Sequence, residues 1–190
     1  PAFSLQGGGF AQWATAKGHQ CRVIPSSVGL KDCALAEPLA VALHGVMRAG
    51  LKPGAKVLIL GAGAIGLAVA YWARRLGAAT VAITDLGDWQ RERALHLGAT
   101  HFLVGDGALP ACIAQNLGSA ADIVFECVGR PGLIAQAIDH VRPRGTVVVL
   151  GLCTVADRFM PFQAVSKEVN LVMSAFFNMD EFCAAVDVLD

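Results

Sequence analysis

The residues most able to do chemistry are a run of glycines and two isolated acids. Gly61-Ala62-Gly63-Ala64-Ile65-Gly66 has the spacing Gly-x-Gly-x-x-Gly, and it stands between an apolar run, Val57-Leu58-Ile59-Leu60, and a helical pattern from Ala64 to Leu76. As a bare pattern the spacing is weak. Placed between a strand and a helix it becomes a pyrophosphate cradle. Gly61 makes the tight turn, Gly63 lets a phosphate approach the backbone, and Gly66 lets the helix pack against the strand. The unpaired N–H groups of that helix end, from Ala64 and Ile65 onward, favour anionic oxygens. Asp85 closes the next apolar run 19 residues past Gly66. A carboxylate there accepts the two ribose hydroxyls of an adenosine and repels a 2′-phosphate, so NAD is expected over NADP. Arg91 and Arg93 on the following helix leave room for NADP.

Two further segments close later strands. These are Cys127-Val128-Gly129, following Glu126, and Leu150-Gly151-Leu152. Their small residues suit close approach of a ribose or nicotinamide ring, and a plain turn explains each of them as well. Glu37, in Ala36-Glu37-Pro38, sits at the start of a helix, where an acid is stabilised by the helix dipole. His44 lies seven residues on, along the same face, and reads as a packed core histidine.

The elements that must hold these residues alternate. Strands are expected at 57–60, 80–84, 101–104, 122–126, 146–150 and 170–175. Helices are expected at 37–49, 64–76, 88–97, 109–117, 132–141 and 180–189. The central strands are continuous apolar runs, as in parallel strands covered on both faces, so the fold class is α/β with a doubly wound parallel sheet. Residues 1–36 differ. Gly7-Gly8-Gly9 is a loop, and 10–16 and 21–24 read as short strands from the tail of a β-rich domain.

Composition agrees with a buried core. The 190 residues are 55% hydrophobic and 16% charged with zero net charge, which argues against disorder and gives no sign of a nucleic-acid or anionic-membrane partner. The longest uncharged stretch, 57–73, is interrupted by glycines and short for a membrane span. Six cysteines, none in a Cys-x-x-Cys pair, read as reduced thiols of a cytoplasmic protein. Both ends read as cut from a longer chain.

The order of motifs carries a resemblance. It runs through Gly8-Gly9-Phe10-Ala11-Gln12-Trp13, then Ala36-Glu37-Pro38-Leu39-Ala40-Val41-Ala42-Leu43-His44, then Lys52-Pro53-Gly54, the glycine turn, and Arg142-Pro143-Arg144-Gly145. The chain resembles the medium-chain dehydrogenases, the zinc-dependent alcohol dehydrogenases, and within them the sorbitol, butanediol and idonate dehydrogenases. The resemblance covers essentially the whole chain. It implies a six-strand Rossmann sheet of order 3-2-1-4-5-6 over 37–190, preceded by the tail of a GroES-like catalytic domain over 1–36. It implies reversible oxidation of a secondary alcohol (polyol, diol or sugar alcohol) to a ketone by NAD. Glu37 is then a zinc-site residue. The other zinc ligands would precede Pro1 and the closing segment would follow Asp190, so no catalytic residue is expected in this stretch and the fragment alone is expected to be inactive.

The resemblance further implies cofactor contacts from Gln90 and from Ala175 and Phe176, and a homodimer or homotetramer joined through the sixth strand. There are two departures from the pattern. Gln90 stands where the polyol enzymes often carry a basic residue, and Ala175-Phe176-Phe177 stands where Phe-Arg is common. Three alternatives stay open: a zinc-free quinone or enoyl reductase using NADPH, a noncatalytic nucleotide-sensing domain, and, more distantly, a methyltransferase.

Overall fold

The computed structural model describes residues 9, 11–105, 113 and 115–190. Six parallel strands form one sheet: β1 (Lys56–Leu60), β2 (Thr80–Asp85), β3 (His101–Val104), β4 (Ala121–Glu126), β5 (Val141–Val149) and β6 (Asn170–Met173). Their order is β3-β2-β1-β4-β5-β6, the expected doubly wound order. The helices are α1 (Ala36–Arg48), α2 (Ala64–Arg75), α3 (Arg91–His96), α4 (Leu133–His140), α5 (Pro161–Ser166) and α6 (Met179–Asp187).

The apolar runs make sense in this setting. Val57, Ile59, Val81, Ile83 and Phe125 pack with α1 and α2 on one face, while Leu58, Leu60, Ala82, Val124 and Val147 pack with α4 and Ile113 on the other. Both faces are covered, so the side chains in the middle of the central strands are buried and polar alternation has no place. α1 begins with Glu37 and Pro38 in its first turn and ends with Arg48, each at the pole where its charge or fixed φ suits the helix. The indole N–H of Trp72 in α2 donates to the carbonyl of Leu39 at 2.9 Å, locking α2 to α1.

Several expectations need correction. The strands expected at 10–16 and 21–24 are not formed in the described part of those segments. Residues 11–35 run irregularly, with short 3-10 turns at Gly18–Gln20 and Asp32–Leu35. A strand needs a ladder partner, and none lies alongside among the described residues; Trp13 and Val23 stay about nine-tenths exposed (90% and 89%). Phe10, Gly7 and Gly8 lie outside the described residues. So does most of the helix expected at 109–117, of which residues 113 and 115–117 are helical. β5 starts five residues early, because Arg142 to Gly145 form an irregularity in the ladder where the register moves from Ala121↔Val141 to Ile123↔Thr146. β6 ends at Met173, two residues before the expected end at 175. The third helix starts at Arg91 rather than Asp88, after a turn closed by the Arg91 N–H on the Asp88 carbonyl. α5, beginning at Pro161, was not anticipated.

Candidate cofactor site

The strand order reverses between β1 and β4, the place where open α/β sheets bind ligands past the carboxyl ends of their strands. The glycine turn forms one lip. Gly61 has φ +96°, open to glycine and strained for other residues. A side chain on Gly66 would strike the Gly61 carbonyl and touch Ile59 in β1, so this glycine lets the start of α2 sit on the turn. Gly63 caps α2, and nothing lies within 4 Å of where its side chain would be. With Ala64 it is exposed, leaving the N–H groups of the first turn of α2 free of bulk.

Asp85 ends β2 beside this lip. One carboxylate oxygen accepts the Ala62 N–H at 3.1 Å, and the other accepts the Leu86 N–H at 2.7 Å. The acid is therefore tied to the glycine turn itself, and on this half-exposed residue the oxygens keep lone pairs for further donors. Arg91 and Arg93, the two basic residues on the helix after Asp85, have partners of their own. The Arg91 guanidinium donates to the Phe102 carbonyl at 3.0 Å and lies 5.0 Å above the Phe102 ring. Arg93 donates to Gln90 at 3.3 Å. Gln90 and Ala64 border a groove of about 590 Å³ among α1, α2 and α3.

The opposite lip comes from the ends of β4 and β5. Val128 reaches back to Gly61, whose missing Cβ would lie 2.5 Å from a Val128 methyl. Gly129, at φ +77°, packs against the backbone of Gly151 and Leu152. The small residues here first allow two loops to touch. The Cys127 thiol, half-buried and next to Glu126, has its pKa pushed well up by desolvation and by that carboxylate, so it stays a neutral thiol. Leu150, Gly151, Leu152 and Ala175 share a hollow of about 410 Å³ at the ends of β5 and β6. Phe176, just beyond, is exposed with φ +64°, an uncommon conformation for a bulky residue.

Two residues gained partners that spacing did not reveal. Glu126 is 2% exposed, and one of its oxygens accepts the N–H groups of Val128 and Gly129 at 2.7 and 2.8 Å. An acid ending an otherwise apolar strand was the available signal, since a buried carboxylate needs donors. His44 is not simply packed in the core. Its Nδ1 lies 2.9 and 3.0 Å from the two oxygens of Glu181 in α6, which also accepts the Asn178 N–H as part of a capping box.

Glu37 is exposed in the first turn of α1. Among the described residues no three His, Cys, Asp or Glu side chains come together as metal ligands, and zinc takes about four. The described residues therefore do not by themselves fit a zinc ion. The glycine cradle with Asp85 does fit a dinucleotide, by its open space over Gly63 and its acid at the turn.

Sheet order, glycine turn and terminal acid of β2 define a Rossmann-type domain. Residues 64–190 match the family model for zinc-binding dehydrogenases, and the chain belongs to that family. It is 35% identical over 155 residues to sorbitol dehydrogenase from Bos taurus, an alignment covering 80% of this chain and 44% of that one. The crystal structure of L-idonate 5-dehydrogenase from Escherichia coli superposes with TM-score 0.83 at 29% identity, covering 93% of this chain and 50% of that one. A zinc-binding dehydrogenase from Sinorhizobium meliloti, bound to NADP, superposes with TM-score 0.77 at 31% identity, covering 87% of this chain and 50% of that one. The chain spans about half the length of the curated relatives it matches. Among the described residues, no helix is long and apolar enough to cross a membrane.

Proposed function

We propose that this chain is the cofactor-binding part of an alcohol dehydrogenase that oxidises a secondary alcohol of the polyol, diol or sugar-alcohol class to a ketone, with NAD as the hydride acceptor. The observation that carries the cofactor reading is the Asp85 carboxylate, held on the Ala62 N–H at the end of β2. The engagement of Arg91 with Phe102 supports NAD over NADP. The substrate class rests on the named relatives.

The nicotinamide, when bound, supplies the hydride chemistry. The roles left to this chain are binding and orientation. The start of α2 binds the pyrophosphate through its free N–H groups, and Asp85 accepts the adenosine ribose hydroxyls. Cys127 to Gly129 and Leu150 to Leu152 wall the nicotinamide ribose, and Ala175 and Phe176 border the ring. Gln90 borders the adenosine end. Glu37 is assigned to the catalytic zinc as one ligand, bound directly or through water.

We place the protein in the cytoplasm, in keeping with five unpaired cysteines among the described residues. We also assign it a homodimer or homotetramer formed through β6, the last strand in the sheet order, with a free edge that can template pairing. Titration calorimetry of the chain with NAD and NADP tests the cofactor reading. Micromolar NAD binding with weaker NADP binding is expected, and absence of both refutes it. In the full-length protein, Glu37→Ala should lower bound zinc and polyol oxidation together; unchanged zinc content and rate would remove Glu37 from the metal site.

A further inference from the structure

We infer that Glu126 is the positioning residue for the nicotinamide half of the cofactor, a role that rests on the dinucleotide reading above. Glu126 is the last residue of β4 and pairs in register with Leu60, the last of β1, so it stands where the strand order reverses. Its carboxylate and its carbonyl point into the two loops that follow β4 and β5. Its side chain accepts the N–H groups of Val128 and Gly129. Its carbonyl accepts those of Leu150 and Gly151 at 2.8 and 3.0 Å. Its second carboxylate oxygen abuts Gly151, leaving no room for a side chain there. One buried acid therefore sets the spacing between the loop after β4 and the loop after β5. Through Val128 it also sets how closely the first loop approaches Gly61.

The adenosine half is held differently, by α2 and by Asp85, whose hydrogen bonds go to Ala62 and Leu86 and involve nothing from β4 or β5. The two halves of the site thus rest on separate acids. Loosening Glu126 moves the walls of the nicotinamide ribose and leaves the ADP cradle standing. A residue that mattered only for folding would weaken both halves together.

The test uses the whole chain, with ADP and NAD as calorimetric ligands and thermal melting as the check on folding. Glu126→Ala should weaken NAD by about tenfold or more, the scale expected for losing hydrogen bonds to a charged acceptor, while ADP stays within about twofold. Glu126→Gln, which keeps an amide oxygen for Val128 and Gly129, should recover most of the NAD affinity. If the alanine variant does not melt cooperatively, Glu126→Asp serves, since it keeps the charge but withdraws the carboxylate by one methylene; it should again separate NAD from ADP. An unchanged NAD-to-ADP ratio across variants of a wild type that binds both overturns the assignment to Glu126 alone. A wild-type chain that binds neither ligand overturns the dinucleotide reading and this inference with it.

Discussion

Replacing Asp85 by asparagine isolates the charge of the acid at the end of β2 with little change in shape. The aspartate carboxylate accepts the Ala62 and Leu86 N–H groups through separate oxygens. Asparagine has one oxygen, so one of these N–H groups loses its acceptor. The site is half-exposed and water replaces part of the bond, so the fold loses about 1 kcal/mol, or a drop of roughly 2–4 °C in Tm. Binding changes more. A hydrogen bond from a ribose hydroxyl to a charged acceptor contributes about 1.5–3 kcal/mol, so NAD affinity should fall by at least about tenfold. Removing the carboxylate also relieves repulsion of a 2′-phosphate, about 1 kcal/mol or more for unit charges near 4 Å in a watery site. At the lower bounds the two effects sum to about 2.5 kcal/mol, a shift of roughly sixty-fold in preference from NAD toward NADP. Calorimetric titration of wild type and Asp85→Asn with both cofactors measures this ratio directly. A ratio that moves by less than about threefold, in a variant that melts normally, would refute the role given to Asp85.

Gly66→Ala puts a methyl into the Gly61 carbonyl; it should cost about 1–3 kcal/mol of stability and weaken NAD, read by melting and calorimetry, and a neutral result would show that the turn can yield. His140 has its pKa lowered below 6.5 by burial, so its neutral form is favoured in the folded state. Stability linked to it is present above pH 6.5 and is lost as pH falls through the lowered folded value; melting across this window should flatten in His140→Asn. Asp122 meets a desolvation penalty that raises its pKa, but bonds from the Lys56 N–H and Arg142 outweigh it and hold the pKa below 3.8. Its contribution should persist above pH 3.8 and disappear as pH falls through its lowered folded value, and Asp122→Asn should remove that acid-dependent part of the melting curve. The chain should sediment as a dimer, and a charge at the exposed Met173 of β6, in Met173→Lys, should weaken association; a monomeric wild type at high concentration would refute the shared edge.

How much of this was legible in sequence depended on how local the cause was. The glycine turn could be read because its demands are local. A positive φ at Gly61, a close contact between Gly66 and Gly61 five residues away, and open space at Gly63 all follow from a strand entering a helix. Asp85 could be read because the length of a β-α-β unit fixes where the second strand ends. The doubly wound parallel class followed from apolar runs alternating with helical ones, and the strand order from the family resemblance. The N-terminal strands were misread because alternation over a few residues does not supply a partner strand.

The rest needed tertiary contacts. His44 meets Glu181 across 137 residues, so helical periodicity on α1 alone could only assign it to the core. Arg91 could be counted as a phosphate ligand until its guanidinium was seen over Phe102. Gly129 and Gly151 read as space for a ligand until their backbones were found against each other. Glu126 looked like the plain end of a strand, because nothing in its spacing says that its carboxylate turns inward to hold one loop while its carbonyl holds another. Local sequence placed the glycine turn and the acid that closes β2, since backbone geometry over a few residues decides both. The packed sheet alone set the partners of His44, Arg91 and Glu126, since those depend on neighbours far along the chain.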